Sequence, residues 1–163
     1  MKTFNYFAYG SNMDKDDLDK WCIDHNHPII EFLDVEPARL YGYKLCFNYF
    51  SKSRKAGAAN LMITSKEYFV DGLLIKLNDD AKKIIRKKEN YPYSYNEYPI
   101  TVETFKGELI KNALTYKVIK SREEKEHKPP TKYYMNLIIK NAKKYGFHLD
   151  YIKYLESLET KEK

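Results

Sequence analysis

A chain of 163 residues is long enough for one domain with a real hydrophobic core and too short for two comfortable ones. Hydrophobic residues make up 43% and charged residues 32%, which suits a soluble globular protein, and apolar runs such as Leu73 to Ile75 are far too short to cross a membrane. The formal charge of +6 is carried almost wholly by lysine, with arginine only at Arg39, Arg54, Arg86 and Arg122, so a solvated basic face is expected rather than the arginine-rich surface that reads nucleic acid.

Met1-Lys2-Thr3-Phe4 leads straight into a strand-like segment rather than a signal peptide, so a cytoplasmic protein is expected. Phe4 to Tyr9 is aromatic-rich and ends at Gly10, which reads as a buried strand followed by a tight turn. Ser11 or Asn12 can begin a helix through Asp14-Lys15-Asp16-Asp17-Leu18, whose acidic residues suit the positive end of a helix dipole. Asp24 to Pro28 reads as loop, and Ile29 to Leu40 as the place of a strand that Gly42 separates from the next. Tyr43, Leu45, Phe47 and Tyr49 alternate as one face of a half-buried strand, and Ser51 to Gly57 is a polar, basic loop. Ala58 to Ile63 and Tyr68 to Leu77 are further strands, and Gly72 inside the second predicts a close backbone approach or a bulge.

Asn78 to Glu89 is the clearest early helix. Asn78 suits the N-cap, Asp79 and Asp80 the first turn, and Arg86, Lys87 and Lys88 the last. Tyr98, Ile100 and Val102 then alternate with polar or exposed positions, and Ile110, Leu114, Tyr116 and Val118 do much the same after a turn at Gly107. Ser121 to Lys128 is a charged connector. Pro129-Pro130-Thr131 starts a helix in which Tyr134, Leu137, Ile138 and Tyr145 keep helical spacing, with Gly146 as the stop. Leu149, Ile152, Leu155 and Leu158 form a last short helix, and Glu159 to Lys163 a frayed tail beyond a single domain over 1–158. The fold class is therefore α+β, a mixed β-sheet curled into a barrel with flanking helices. Cys22 and Cys46 are expected as reduced, mostly buried thiols.

Little in the chain suggests metal or nucleophile chemistry. His25-Asn26-His27 has only Asp24 nearby and completes no ligand set, so no metal is expected. Gly10-Ser11 lacks the second glycine of a nucleophile elbow, and no phosphate-binding glycine motif occurs. Glu89 differs, because it ends a helix and so faces the negative end of the dipole. That costs about 0.3–1 kcal/mol, and burial among aromatic rings would add to the upward pressure on its pKa. Taken by itself it still reads first as a solvated helix-end glutamate. Tyr9-Gly10-Ser11-Asn12 is the second candidate, because a strand entering a glycine turn and then a helix presents backbone N–H groups that suit a carboxylate or an oxyanion; an ordinary turn reads the same way.

Tyr6-Phe7-Ala8-Tyr9-Gly10-Ser11-Asn12-Met13 resembles the opening signature of the γ-glutamylcyclotransferase-like family, which includes γ-glutamylamine cyclotransferase-like proteins. Further blocks resemble the same family in the same order: Ala38-Arg39-Leu40 with Tyr43-Lys44-Leu45, Gly57 to Leu61, Val70 to Leu74, Ile84 to Glu89, Pro129-Pro130-Thr131 with Tyr134, and Gly146 with Leu149-Asp150-Tyr151. Asn90 replaces the family's glycine after the glutamate, and asparagine tolerates the left-handed backbone such a turn needs. Tyr91 to Glu97 is longer and richer in tyrosine than the family pattern and leads to Tyr98, which resembles the tyrosine opening the next strand.

The resemblance implies intramolecular cleavage of a γ-glutamyl amide, in which the substrate's α-amine attacks its γ-carbonyl to release 5-oxoproline and a free amine or amino acid. It assigns Glu89 as the catalytic acid/base, Tyr9, Gly10, Ser11 and Asn12 as the anchor for the α-carboxylate or carbonyl oxygen, and Tyr98 and Tyr134 as pocket wall. It implies a small-molecule γ-glutamyl substrate, no metal or cofactor, and a monomer or weak homodimer. Two alternatives stay open at this point: a lyase that removes a γ-glutamyl group from a carrier-bound or larger product, and a non-catalytic binding module on the same fold.

Overall fold

The computed structural model describes residues 2–162. Five strands close into a barrel: β1 (Thr3–Ala8), β2 (Asp34–Tyr41), β5 (Phe69–Asn78), β6 (Tyr95–Thr104) and β7 (Leu109–Val118), in the order β1-β5-β2-β6-β7. Every pairing is antiparallel except the one that closes the ring, where β1 and β7 run parallel with Tyr6 opposite Leu114, so the sheet is mixed. The strands expected from Tyr43 and from Ala58 are β3 (Tyr43–Ser51) and β4 (Ala56–Ile63), a hairpin outside the barrel ring. Four α-helices flank the strands: α1 (Lys15–Asp24), α2 (Asp79–Lys88), α3 (Lys132–Lys144) and α4 (Leu149–Ser157). None of them is long and apolar enough to cross a membrane.

The core is one continuous cluster running from the barrel into the space under α3 and α4, with Phe7, Leu73, Ile75 and Leu77 from the barrel meeting Met135, Ile138, Ala142 and Leu155. Burial alternates along β2, β3 and β6, but Val70 to Ile75 is buried without interruption, because β3 and the start of α4 also pack against β5. At Gly72 a Cβ would lie 2.5 Å from the Ala8 carbonyl oxygen and 2.7 Å from Phe7 Cζ, which accounts for the glycine that the strand pattern singled out. Gly72→Ala is expected to push the end of β1 off β5 and to cost about 1–3 kcal/mol, the usual cost of overpacking, measured by denaturant unfolding. A loss of only a few tenths would mean that the two strands part without resistance.

Local chemistry moves several boundaries from their expected places. The helix expected from Ser11 is split into a 3-10 turn over Ser11–Met13 and then α1, because the Asp14 side chain accepts from Asp17 N and caps the second piece. β2 begins only at Asp34, and Asn78 occupies the N-cap of α2 without a side-chain hydrogen bond. Thr131 caps α3 by accepting from Tyr134 N, so Pro129 and Pro130 precede the helix rather than lie in its first turn. Asn90 takes φ 51° and Gly146 φ +70°, the left-handed residues that close α2 and α3. The tail expected to fray carries a backbone tie: Lys161 bridges Thr131, donating to Pro130 O at 2.7 Å and accepting from Lys132 N at 2.8 Å. Lys163 lies outside the described residues. Both cysteines are free; Cys22 is buried, whereas Cys46 is only half-buried and its thiol is pushed up to about 11, chiefly by burial.

Candidate active site

The turn after β1, the end of α2, the start of β6, the β3–β4 hairpin and α3 converge on one cavity of about 720 Å³. That volume lies in the range of small-molecule sites. Tyr9, Gly10, Ser11, Asn12, Glu89 and Tyr134 all line it. The barrel makes this possible: β1 delivers the turn at its C-terminal end, while α2 returns from β5, the strand paired with β1, and ends beside that turn.

Asn12 links the two halves. Its Nδ2 donates to Glu89 Oε1 at 2.8 Å and to the Tyr6 hydroxyl at 2.9 Å, and its Oδ1 accepts from Lys88 Nζ at 2.7 Å. The amide therefore separates an ammonium from a carboxylate and fixes both. Arg86 turns away to grip Glu97 through Nε at 2.6 Å and Nη2 at 2.7 Å, and Glu97 also accepts from the Tyr116 hydroxyl. Of the three cations in the last turn of α2, Lys88 is the one that reaches the site.

Glu89 is half-buried, with one edge open to the cavity and the rest enclosed by protein. Burial pushes its carboxyl above the usual range, and the charges of Lys88 and Arg54 and the Asn12 hydrogen bond only partly pull it back. Lys88 is pushed the other way: burial lowers it, and the Glu89 charge opposes that. Such a carboxyl can take up a proton and release it again more readily than a surface glutamate.

A shell of tyrosines holds this pair. The Tyr9 hydroxyl donates to the Tyr116 carbonyl at 2.5 Å, so the Tyr9 ring anchors the turn and its hydroxyl is already engaged. Ala59 in β4 is clamped on both sides, its N–H donating to the Tyr134 hydroxyl at 3.1 Å and its carbonyl accepting from the Tyr95 hydroxyl at 2.7 Å. The Tyr134 hydroxyl also lies against Gly10, where a Cβ would approach it to 3.1 Å. Burial raises the hydroxyls of Tyr9 and Tyr95 well above the usual tyrosine range and that of Tyr134 above it, so they act as neutral groups.

Tyr98 does not line this cavity. It lies half-buried in β6 with Lys117 Nζ 5.4 Å from its ring centre, and Tyr95 opens the strand in its stead. The two tyrosines are three positions apart, and an odd separation puts side chains on opposite faces of a strand. Tyr91 to Glu97 is therefore not all turn: the chain is already extended from Tyr95. The sequence reading also passed over Tyr6, Lys88, Tyr95 and Arg54 as site residues. Tyr6 stood inside the quoted signature, but nothing local marked the other three.

At the mouth of the cavity the Trp21 indole stacks with the rings of His25 and His27, at centroid distances of 4.3 and 5.3 Å. The two histidines singled out as a failed metal motif thus flank an indole.

The family model described as "Gamma-glutamyl cyclotransferase, AIG2-like" matches residues 6–136. Among solved structures, one named "Gamma-glutamyl cyclotransferase" superposes with a TM-score of 0.79 at 26% identity, covering 99% of this chain and 91% of the other. An uncharacterized protein from Homo sapiens superposes with a TM-score of 0.78 at 26% identity, covering 100% and 92%. A yeast γ-glutamyl cyclotransferase specific to glutathione shares the fold, with a TM-score of 0.64 at 9% identity over 95% and 94%. No curated protein sequence matches the chain.

Proposed function

Because the chain belongs to the gamma-glutamyl cyclotransferase, AIG2-like family, we propose that it cleaves a γ-glutamyl amide by intramolecular attack, releasing 5-oxoproline and a free amine or amino acid. The observation that carries this reading is the Glu89 carboxyl, raised by burial, held by Asn12 and open to a cavity whose wall includes the Tyr9 to Asn12 turn.

The substrate brings its own nucleophile and electrophile. Holding its α-amine against its γ-carbonyl supplies effective molarity that can offset about 7–11 kcal/mol of barrier. In the mechanism proposed, the Glu89 carboxylate takes a proton from the α-ammonium. The freed nitrogen lone pair forms a bond to the γ-carbon, and the carbonyl oxygen becomes an oxyanion. The Tyr9 to Asn12 turn holds the glutamyl portion in this geometry. Glu89 then delivers its proton to the leaving nitrogen as the C–N bond breaks and the carbonyl re-forms, and the second proton of the attacking nitrogen passes through the regenerated carboxylate to the departing amine, which leaves as an ammonium. One carboxyl serves both transfers, which is why a raised pKa suits it. The site is supplied by the single domain proposed over 1–158.

The direct test is a mass-spectrometric screen for 5-oxoproline release from γ-glutamyl amines, γ-glutamyl amino acids and γ-glutamyl peptides. Release from any one class carries the reading and names the leaving group; no release from the whole panel removes it.

Asn12→Ala gives a pH test. The Asn12 hydrogen bond stabilises the charged form of Glu89 and so lowers its pKa. Without it the pKa climbs further, and the acid limb of kcat/KM moves to higher pH. An acid limb that stays in place, or moves down, would detach Glu89 from the observed protonation step.

A further inference from the structure

Three cations on one wall of the cavity have no part in the mechanism above. Lys52 and Arg54 lie in the turn between β3 and β4, and Arg122 closes the 3-10 turn Lys120–Arg122. None of the three is in an ion pair among the described residues. The carboxylates around the cavity are otherwise engaged. Asp24 pairs with Lys20, Asp17 accepts from the Tyr133 hydroxyl, and Glu123, next to Arg122 in sequence, accepts from Asn60. This wall is therefore electropositive; of the acidic residues that also line the cavity, Asp24 is paired with Lys20, whereas Asp17 is held by a neutral hydroxyl and keeps its charge.

Arg54 is the ordered member of the three. Its guanidinium lies over the Tyr134 ring at 4.4 Å, and Nη2 donates to Ser11 Oγ at 3.2 Å. The stacking and the single hydrogen bond fix the plane of the fork and leave most of its N–H donors without a protein acceptor. The side chain is half-buried, and its charge reaches Glu89 and Lys88. A flat, pinned guanidinium with a free edge matches a carboxylate, which accepts two parallel N–H bonds.

We propose that Arg54 is a specificity-determining residue that takes a carboxylate of the substrate in a bidentate pair, with Lys52 and Arg122 keeping the outer part of the same wall attractive to anions. This rests on the γ-glutamyl reading of the site. The carboxylate is either the α-carboxylate of the glutamyl portion or one carried by the leaving portion; the position of Arg54 beside Ser11 favours the first.

The test uses four γ-glutamyl amides, in which the α-position and the leaving portion each carry either a carboxylate or the isosteric carboxamide. Binding is measured by calorimetry and turnover by release of the cyclised product, on the wild type, Arg54→Gln and Arg54→Lys. The wild type is expected to prefer carboxylate over carboxamide at one of the two positions by about 10–100-fold, the usual value of hydrogen bonds to a charged group. Arg54→Gln should abolish that preference while leaving the carboxamide ligand's affinity near wild type. Arg54→Lys should restore only part of it, because an ammonium cannot fork. The position at which the preference disappears identifies the carboxylate. A preference that survives Arg54→Gln, or equal weakening of carboxylate and carboxamide ligands, would overturn the proposal; the second result would make Arg54 a support for the turn. Arg54-dependent binding without any cyclised product would remove the cyclotransferase reading and keep the carboxylate subsite. Turnover without an Arg54-dependent preference would do the reverse, and no binding of any of the four would remove both.

Discussion

Glu89→Gln is expected to fold, to bind γ-glutamyl ligands with little change, and to lose turnover by at least about 10²–10⁴-fold, the contribution of general acid–base catalysis. Glutamine keeps the shape and an oxygen for the 2.8 Å bond from Asn12 Nδ2, but cannot carry a proton between two nitrogens near neutral pH. The same substitution has a stability signature of opposite sign. The folded-state pKa of Glu89 is raised, so its ionisation opposes folding. Below the ordinary glutamate range the carboxyl is protonated in both the folded and the unfolded chain and the wild type has no handicap. As pH rises through the folded pKa, the wild type loses stability that the variant keeps. Glu89→Gln should therefore melt higher than the wild type near neutral pH, and the difference should close on acidification. Parallel melting curves and 5-oxoproline release on the same preparation check both halves. Near wild-type turnover in a folded variant would remove Glu89 from the mechanism, and a variant that melts lower at neutral pH would make it a structural ion-pair partner.

Asp71→Ala should cost about 3–5 kcal/mol of folding stability, the range for breaking a buried ion pair by removing one partner. Asp71 is fully buried and accepts from Arg39 Nε at 2.7 Å, Arg39 Nη2 at 3.2 Å and His148 N at 3.0 Å. It thereby ties β5 to β2 and to the start of α4. The Arg39 guanidinium lies over the rings of Phe69 at 4.1 Å and Phe105 at 5.1 Å. Without the carboxylate, the Arg39 guanidinium, on a side chain only 23% exposed, loses its counter-charge and the His148 N–H loses its acceptor. Denaturant unfolding of the variant measures the loss. A loss below about 1 kcal/mol would put this pair with ordinary surface ion pairs.

The barrel and most of its elements could be read from local signals. Period-two alternation marked β3, β6 and β7, and carboxylates followed by cations marked α2, because these patterns lie within one segment. Gly72 was legible for the same reason, as a missing side chain inside an apolar run. The boundaries that moved did so where a side chain made a choice the pattern does not record, as when Asp14 capped α1 and split the expected helix. The proposed catalytic pairing was legible only as two separate halves. Asn12 and Glu89 are far apart in sequence, and what joins them is the barrel closure, which no window of residues contains. Lys88 read as one of three cations in a helix's last turn, yet the Asn12 oxygen draws it inward while Glu97 takes Arg86. The choice between Tyr95 and Tyr98 depended on where the strand begins, since the count from that point decides which face each ring takes.

The chain contains a single tryptophan, and it stands at the entrance to the cavity between two imidazoles. The red-edge emission of the unlabelled protein therefore comes from one indole beside the site, whereas the tyrosines absorb and emit further to the blue. A molecule entering the cavity changes the solvent around that indole. Occupancy of the site thus has its own optical reporter, readable in the native chain.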